Sequence, residues 1–144
     1  MGRRPPALSS SSHVLIFSLR IKYDTQLLKI KIRPGKTEQV VEFIRTLEER
    51  KALAMEALRR EGMVVESMFL ERHPDGDYLY YYVKARDLMQ ANEINMKSTD
   101  ALTLEIRNFV SETWGHIVSP EPLLDLDLIK EEGASSAPPQ ALVG

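Results

Sequence analysis

The sequence predicts an α+β domain with one four-stranded antiparallel sheet and its helices on one face. Three observations predict it. Short alternating segments open and close the central region: "LLKIKI" (Leu27 to Ile32) and "LLDLDLI" (Leu123 to Ile129) place apolar residues at every second position. A helical stripe, Val40, Phe43, Ile44, Leu47, Ala54, Met55 and Leu58, follows the first of them at spacings of three, four and seven. Two adjacent strand-like runs are joined by "HPDGD", a hairpin signal. The order is strand, helix, strand, strand, helix, strand. Right-handed crossovers and hairpin adjacency reduce it to the ferredoxin-like βαββαβ arrangement, with strand order 4-1-3-2.

Each element has a local reason. "RPGK" ends the first strand, because Pro34 lacks a donor and Gly35 permits a turn. Thr37 is the expected N-cap of one long helix, Thr37 to Glu61, with Glu38 suited to the positive end of the helix dipole. The charged run Glu48 to Lys51 interrupts its stripe and reads as a solvated face with intrahelical pairing. Gly62 is the expected stop. Strands are expected over Met63 to Arg72 and Tyr78 to Ala85. A second helical region opens at Asp87 and restarts at Thr99 or Asp100, with Leu102, Ile106, Phe109 and Val110 on one stripe, and ends at Trp114–Gly115. The last strand is expected at Leu123 to Ile129.

Composition bounds the function. The chain has 144 residues, 43% hydrophobic and 28% charged, the balance of a globular protein with one domain plus tails. The formal net charge of -2 supplies no basic field for nucleic acid or anionic membrane. No apolar run approaches the ~20 residues that span a bilayer. The absence of cysteine excludes disulfides, thiol catalysis and thiolate metal sites, and fits a reducing, cytoplasmic setting. Residues 1–25 read as a flexible leader, Arg- and Ser-rich at its start but with too short an apolar run for a signal peptide, and residues 130–144 as a flexible tail. The folded domain is expected over residues 26–129. There is no internal repeat, phosphate-cradling glycine loop, nucleotide fingerprint, HExxH, GxSxG or calcium loop.

Tyrosine occurs at positions 78, 80, 81 and 82, so aromatic rings fall on both faces of one strand. Leu28, Ile30, Ile32, Leu79, Tyr81, Val83, Leu124, Leu126 and Leu128 are assigned beneath the helices. Lys29, Lys31, Tyr78, Tyr80, Tyr82, Asp125 and Asp127 then occupy the opposite, open face. Glu66 is placed on the open face too, because a carboxylate under a helix layer needs a partner, and Met68 and Leu70 follow it there. Such a face presents an apolar patch large enough for an interaction surface. The expected cover is a second copy, giving a face-to-face homodimer with a cavity between the sheets.

The segments "KIRPGKTEQVVEFIRTLEERK", "EGMVVESMFLER" and "DGDYLYYYVKARDL" resemble a small family of uncharacterised domains within the dimeric α+β barrel superfamily. The resemblance spans about Gln26 to Ile129. It implies the fold and the dimer and carries no reaction with it. The haem-degrading branch of that superfamily uses an Asn, a Trp and a His around iron. This chain has lysines and tyrosines at the corresponding strand positions, so no cofactor is expected.

The candidate ligand-binding residues are Lys29, Lys31, Glu66, Tyr80 and Tyr82, a set able to hold an anionic or phenolic molecule in an open-face cavity. Glu66, Tyr82 and His116 are the candidate acid–base groups. Each has a plainer reading: Lys29 and Lys31 as a cross-strand ladder with Asp125 and Asp127, and His116 as a solvent-facing residue after a glycine-terminated helix. His73 belongs to the expected turn and His13 to the leader. Asp125 and Asp127 lack the further ligands a metal site needs, so none is expected. Two functions follow: a small-molecule cavity, compatible with cofactor-free oxygenase or isomerase chemistry, or a non-catalytic homodimeric interaction or stress-associated protein.

Overall fold

The computed structural model describes residues 23–129. The expectations for the leader and tail, and His13, fall on residues outside that range, apart from Tyr23 to Thr25. The elements are β1 (Asp24–Ile32), α1 (Thr37–Glu49), α2 (Lys51–Glu61), β2 (Met63–His73), β3 (Gly76–Ala85), α3 (Leu88–Lys97), α4 (Ala101–Thr113) and β4 (Trp114–Val118). The sheet is antiparallel, in the order β2-β3-β1-β4. This is the ferredoxin-like fold and strand order that the sequence predicts, with each crossover built from a pair of helices.

Residues Tyr23–Asp125 form the compact unit. Its core is one face of the sheet, Ile30, Ile32 and Leu79, closed by Val40 from α1 and Phe109 from α4. Tyr81 packs against this cluster, as expected of the tyrosine on the helix-facing side. Tyr78, Tyr80 and Tyr82 lie on the other face with Lys29 and Lys31.

The first helical stretch is two helices. Its backbone breaks at Arg50 (φ −102°, ψ 37°), inside the charged run that weakens the apolar stripe. Lys36, not Thr37, holds the N-cap position of α1. The Thr37 hydroxyl instead donates to Asp77 Oδ2 at 2.7 Å, tying the helix start to β3. Gly62 closes α2 in the left-handed region at φ 71°, as expected. Asp87 and Asp100 cap α3 and α4 through bonds from Gln90 N (3.0 Å) and Thr103 N (3.4 Å).

The largest departure is β4. It is built from Trp114–Val118, directly after α4, and not from Leu123 to Ile129. Residues 119–129 contain no helix or strand. Leu124, Leu126 and Leu128, expected under the helices, are 78%, 81% and 99% exposed. Gly115 explains the choice. A Cβ there would sit 2.7 Å from the Lys31 carbonyl oxygen, so only glycine lets this stretch approach β1 so closely.

The lysine–aspartate ladder goes with the displaced strand. Lys29 stands opposite Tyr80 and Val118, and Lys31 opposite Tyr78. Lys29 Nζ lies 4.5 Å from the centre of the Tyr78 ring, a cation–π arrangement. Asp125 pairs with Lys84, whose side chain is 3% exposed.

Candidate functional site

The register of the β2–β3 hairpin decides where the site lies. Glu66 stands opposite Val83, Met68 opposite Tyr81 and Leu70 opposite Leu79, all on the helix-facing side. The placement of Glu66, Met68 and Leu70 on the open face is therefore corrected. An irregularity between Met63 and Val65 shifts the register at the strand's beginning. The open face instead receives Ser67 and Phe69, opposite Tyr82 and Tyr80.

Glu66 opens into a cavity of about 250 Å3 between the sheet and the helices. Its floor is Gln26, Leu28, Glu66, Met68, Tyr81 and Val83. Phe43 and Leu47 of α1, Asn92 and Asn95 of α3, and Phe109 and Val110 of α4 form much of the wall. Glu61, the last residue of α2, and Trp114, the first of β4, also line it. The lining is aliphatic and aromatic with a few polar groups, the character of small-molecule sites.

Two carboxylates and a phenol set its electrostatics. Burial pushes the Glu66 carboxyl above its ordinary range; hydrogen bonding with the Tyr81 hydroxyl pulls it back, and the charge of Glu61 raises it further. Glu66 nevertheless remains open to solvent, so its proton can exchange. Burial, then the neighbouring Glu66 charge, raise the Tyr81 phenol far above its usual value and keep it a hydrogen-bond donor. Asn95 Nδ2 donates to Glu61 Oε1 at 3.0 Å, fixing that carboxylate on the cavity wall. The Trp114 indole Nε1–H is buried without a hydrogen-bond partner.

The other candidate residues are elsewhere. Lys29, Lys31, Tyr80 and Tyr82 share the open face, and only Glu66 of the five ligand-binding candidates lines the cavity. The structure thus brings four together and sets the fifth apart by the thickness of the sheet. Tyr80 donates to Glu71 at 3.0 Å. His116 is exposed on β4, away from Glu66. Tyr81, Glu61, Asn92, Asn95 and Trp114 escaped the sequence reading as site residues. Tyr81 and Trp114 look like core positions, and nothing in the spacing of Glu61 or the asparagines marks them. Among the described residues no group of three or more His, Asp or Glu side chains is arranged to hold a metal. No helix among them is long and apolar enough to cross a membrane.

Comparison with known proteins adds a family. A family model described as a "family of unknown function" (DUF6176) matches residues 23–131. No curated protein matches the chain. Among solved structures, the chain is similar to one titled "Structure of Rv0793 from Mycobacterium tuberculosis". The identity is 17% and the TM-score 0.44, with 74% of this chain and 100% of that one covered.

Proposed function

We propose that this chain, which belongs to the DUF6176 family of unknown function, binds a small organic molecule in the cavity between its sheet and its helices. The observation that carries the reading is Glu66. A carboxyl with a raised proton affinity, beside a protonated phenol, opens from an otherwise largely apolar wall. That pair can hold a ligand's polar group or move a proton to and from it without a metal or redox group. The volume lies below the ~300–1,000 Å3 of drug-sized sites, so the occupant is fragment-sized.

The protein works as a homodimer of the dimeric α+β barrel kind, in the cytoplasm, with the open sheet faces opposed. Phe69 and Val118 support this: both are on that face, 59% and 45% exposed, flanking the tyrosines. A second reading puts the ligand between the paired faces, on Lys29, Lys31, Tyr80 and Tyr82 with His116 at the edge. The two lysines beside the Tyr78 ring favour it for an anion. A third leaves the dimer without a ligand, as an interaction protein.

Native mass spectrometry of protein from its natural host, run on wild type, Glu66→Gln and Tyr82→Phe, separates these readings. The expected result is a dimer carrying a bound species that Glu66→Gln loses and Tyr82→Phe keeps. Loss through Tyr82→Phe alone moves the ligand to the open face. An empty dimer favours the interaction protein, and a monomer overturns the pairing.

A further inference from the structure

The cavity's charge and walls specify the class of its ligand. Glu61 and Glu66 both line it, and among the described residues no lysine, arginine or histidine does. Phe43, Tyr81, Phe109 and Trp114 supply aromatic surface around the same space. Glu61 ends α2, where the helix dipole adds further negative potential. We propose that the ligand is a small organic cation, an amine joined to an apolar body, held by the two carboxylates and the aromatic walls.

The inference rests on the sheet–helix cavity being the binding site. Three kinds of ligand fare differently in this space. An anion entering this space meets two carboxylates in a partly desolvated setting and is repelled. A neutral molecule gains the apolar contacts alone. A cation gains those contacts, an ion pair that desolvation strengthens, and attraction to ring faces. The charge of Glu61 raises the proton affinity of the Glu66 carboxyl, and a positive charge bound beside them relieves that repulsion. Tyr81 completes the recognition. Its hydroxyl satisfies one side of Glu66 and leaves the other oxygen for the ammonium group.

Three matched probes test this: benzylamine, benzyl alcohol and benzoate, which share a ring and differ in charge. Binding is followed by chemical shifts of the cavity residues, with Trp114 indole fluorescence as a second readout. Benzylamine should bind at least 10-fold more tightly than benzyl alcohol, and benzoate should bind weakest. Glu66→Gln should remove most of that 10-fold preference while leaving benzyl alcohol affinity within about 2-fold. Glu61→Gln, on the cavity wall, provides a second variant if the first folds poorly. Equal binding of amine and alcohol, or preference for benzoate, overturns the cation assignment but leaves the cavity as a site. Failure of all three to perturb Trp114 or its neighbours overturns the cavity reading itself, and the cation with it.

Discussion

The ring of Phe43 in α1 lies flat against that of Phe109 in α4, centroids 4.1 Å apart and planes inclined by 15°. The stack joins the two helices above the sheet and forms part of the cavity wall. Phe109 is 4% exposed and belongs to the core cluster, whereas Phe43 is only half-buried. Phe109→Ala should therefore cost about 3–5 kcal/mol in urea unfolding. Phe43→Leu should cost less than about 1.5 kcal/mol. A loss below about 1 kcal/mol for Phe109→Ala would show that the stack is not holding α4 to the sheet.

Glu66 makes stability depend on pH with a definite sign. Its folded carboxyl binds a proton more readily than in the unfolded chain, because burial disfavours the charge. The stability this contributes is fully present below the ordinary carboxylate range and disappears as pH rises through the raised folded value. Solvent access to Glu66 trims the size of the effect. Glu66→Gln should raise Tm at pH 7 relative to wild type, and the gain should shrink toward pH 4. A gain that grows on acidification would mean that the ionised form is the one the fold prefers.

Gly115 should tolerate no side chain. The obstacle is the Lys31 carbonyl, a backbone atom of the neighbouring strand. Gly115→Ala should push β4 away from β1 and cost about 1–3 kcal/mol, the usual price of overpacking. Hydrogen exchange locates the damage: protection should fall at Arg33, whose N–H bonds to the Thr113 carbonyl at 2.8 Å, more than in the β2–β3 hairpin. Uniform loss across the sheet would argue for global destabilisation instead.

Two ion pairs offer a matched comparison. Lys84–Asp125 is largely buried, with side chains 3% and 30% exposed. Arg72–Glu38, at 3.0 Å, is 57% and 78% exposed. Asp125→Asn should cost about 1.5–3 kcal/mol and respond little to salt. Glu38→Gln should cost less than about 1 kcal/mol. Equal costs measured by chemical denaturation would remove the case for Asp125 as an anchor of the residues that follow β4.

The order of elements was legible because helix and strand periods differ, and because Gly62, Asp87 and Asp100 punctuate the helices by chemistry that acts locally. What was not legible depends on tertiary choices. "LLDLDLI" has a better strand pattern than "WGHIV", yet the sheet takes the second, since close approach to β1 requires Gly115 and strand propensity is a matter of context. Glu66 illustrates the limit for the site. Desolvation cost argued for the open face, but the Tyr81 hydroxyl and access to solvent reduce that cost on the helix side. A one-residue irregularity near Met63 is invisible in the sequence, and strand register decides the face of every residue after it.

The leucines after β4 bear on solubility. Leu123, Leu124, Leu126 and Leu128 are between 78% and 99% exposed, in a stretch with strand periodicity that joins no sheet. A run of this kind is a template for stacking between molecules, and Asp125 and Asp127 are what interrupt it. They act as gatekeepers: the two alternate positions at the centre of the run carry negative charges that in-register copies would have to bring together. Neutralising both aspartates would leave seven uncharged residues with four exposed leucines among them, a segment prone to fibril formation whatever the rest of the fold does.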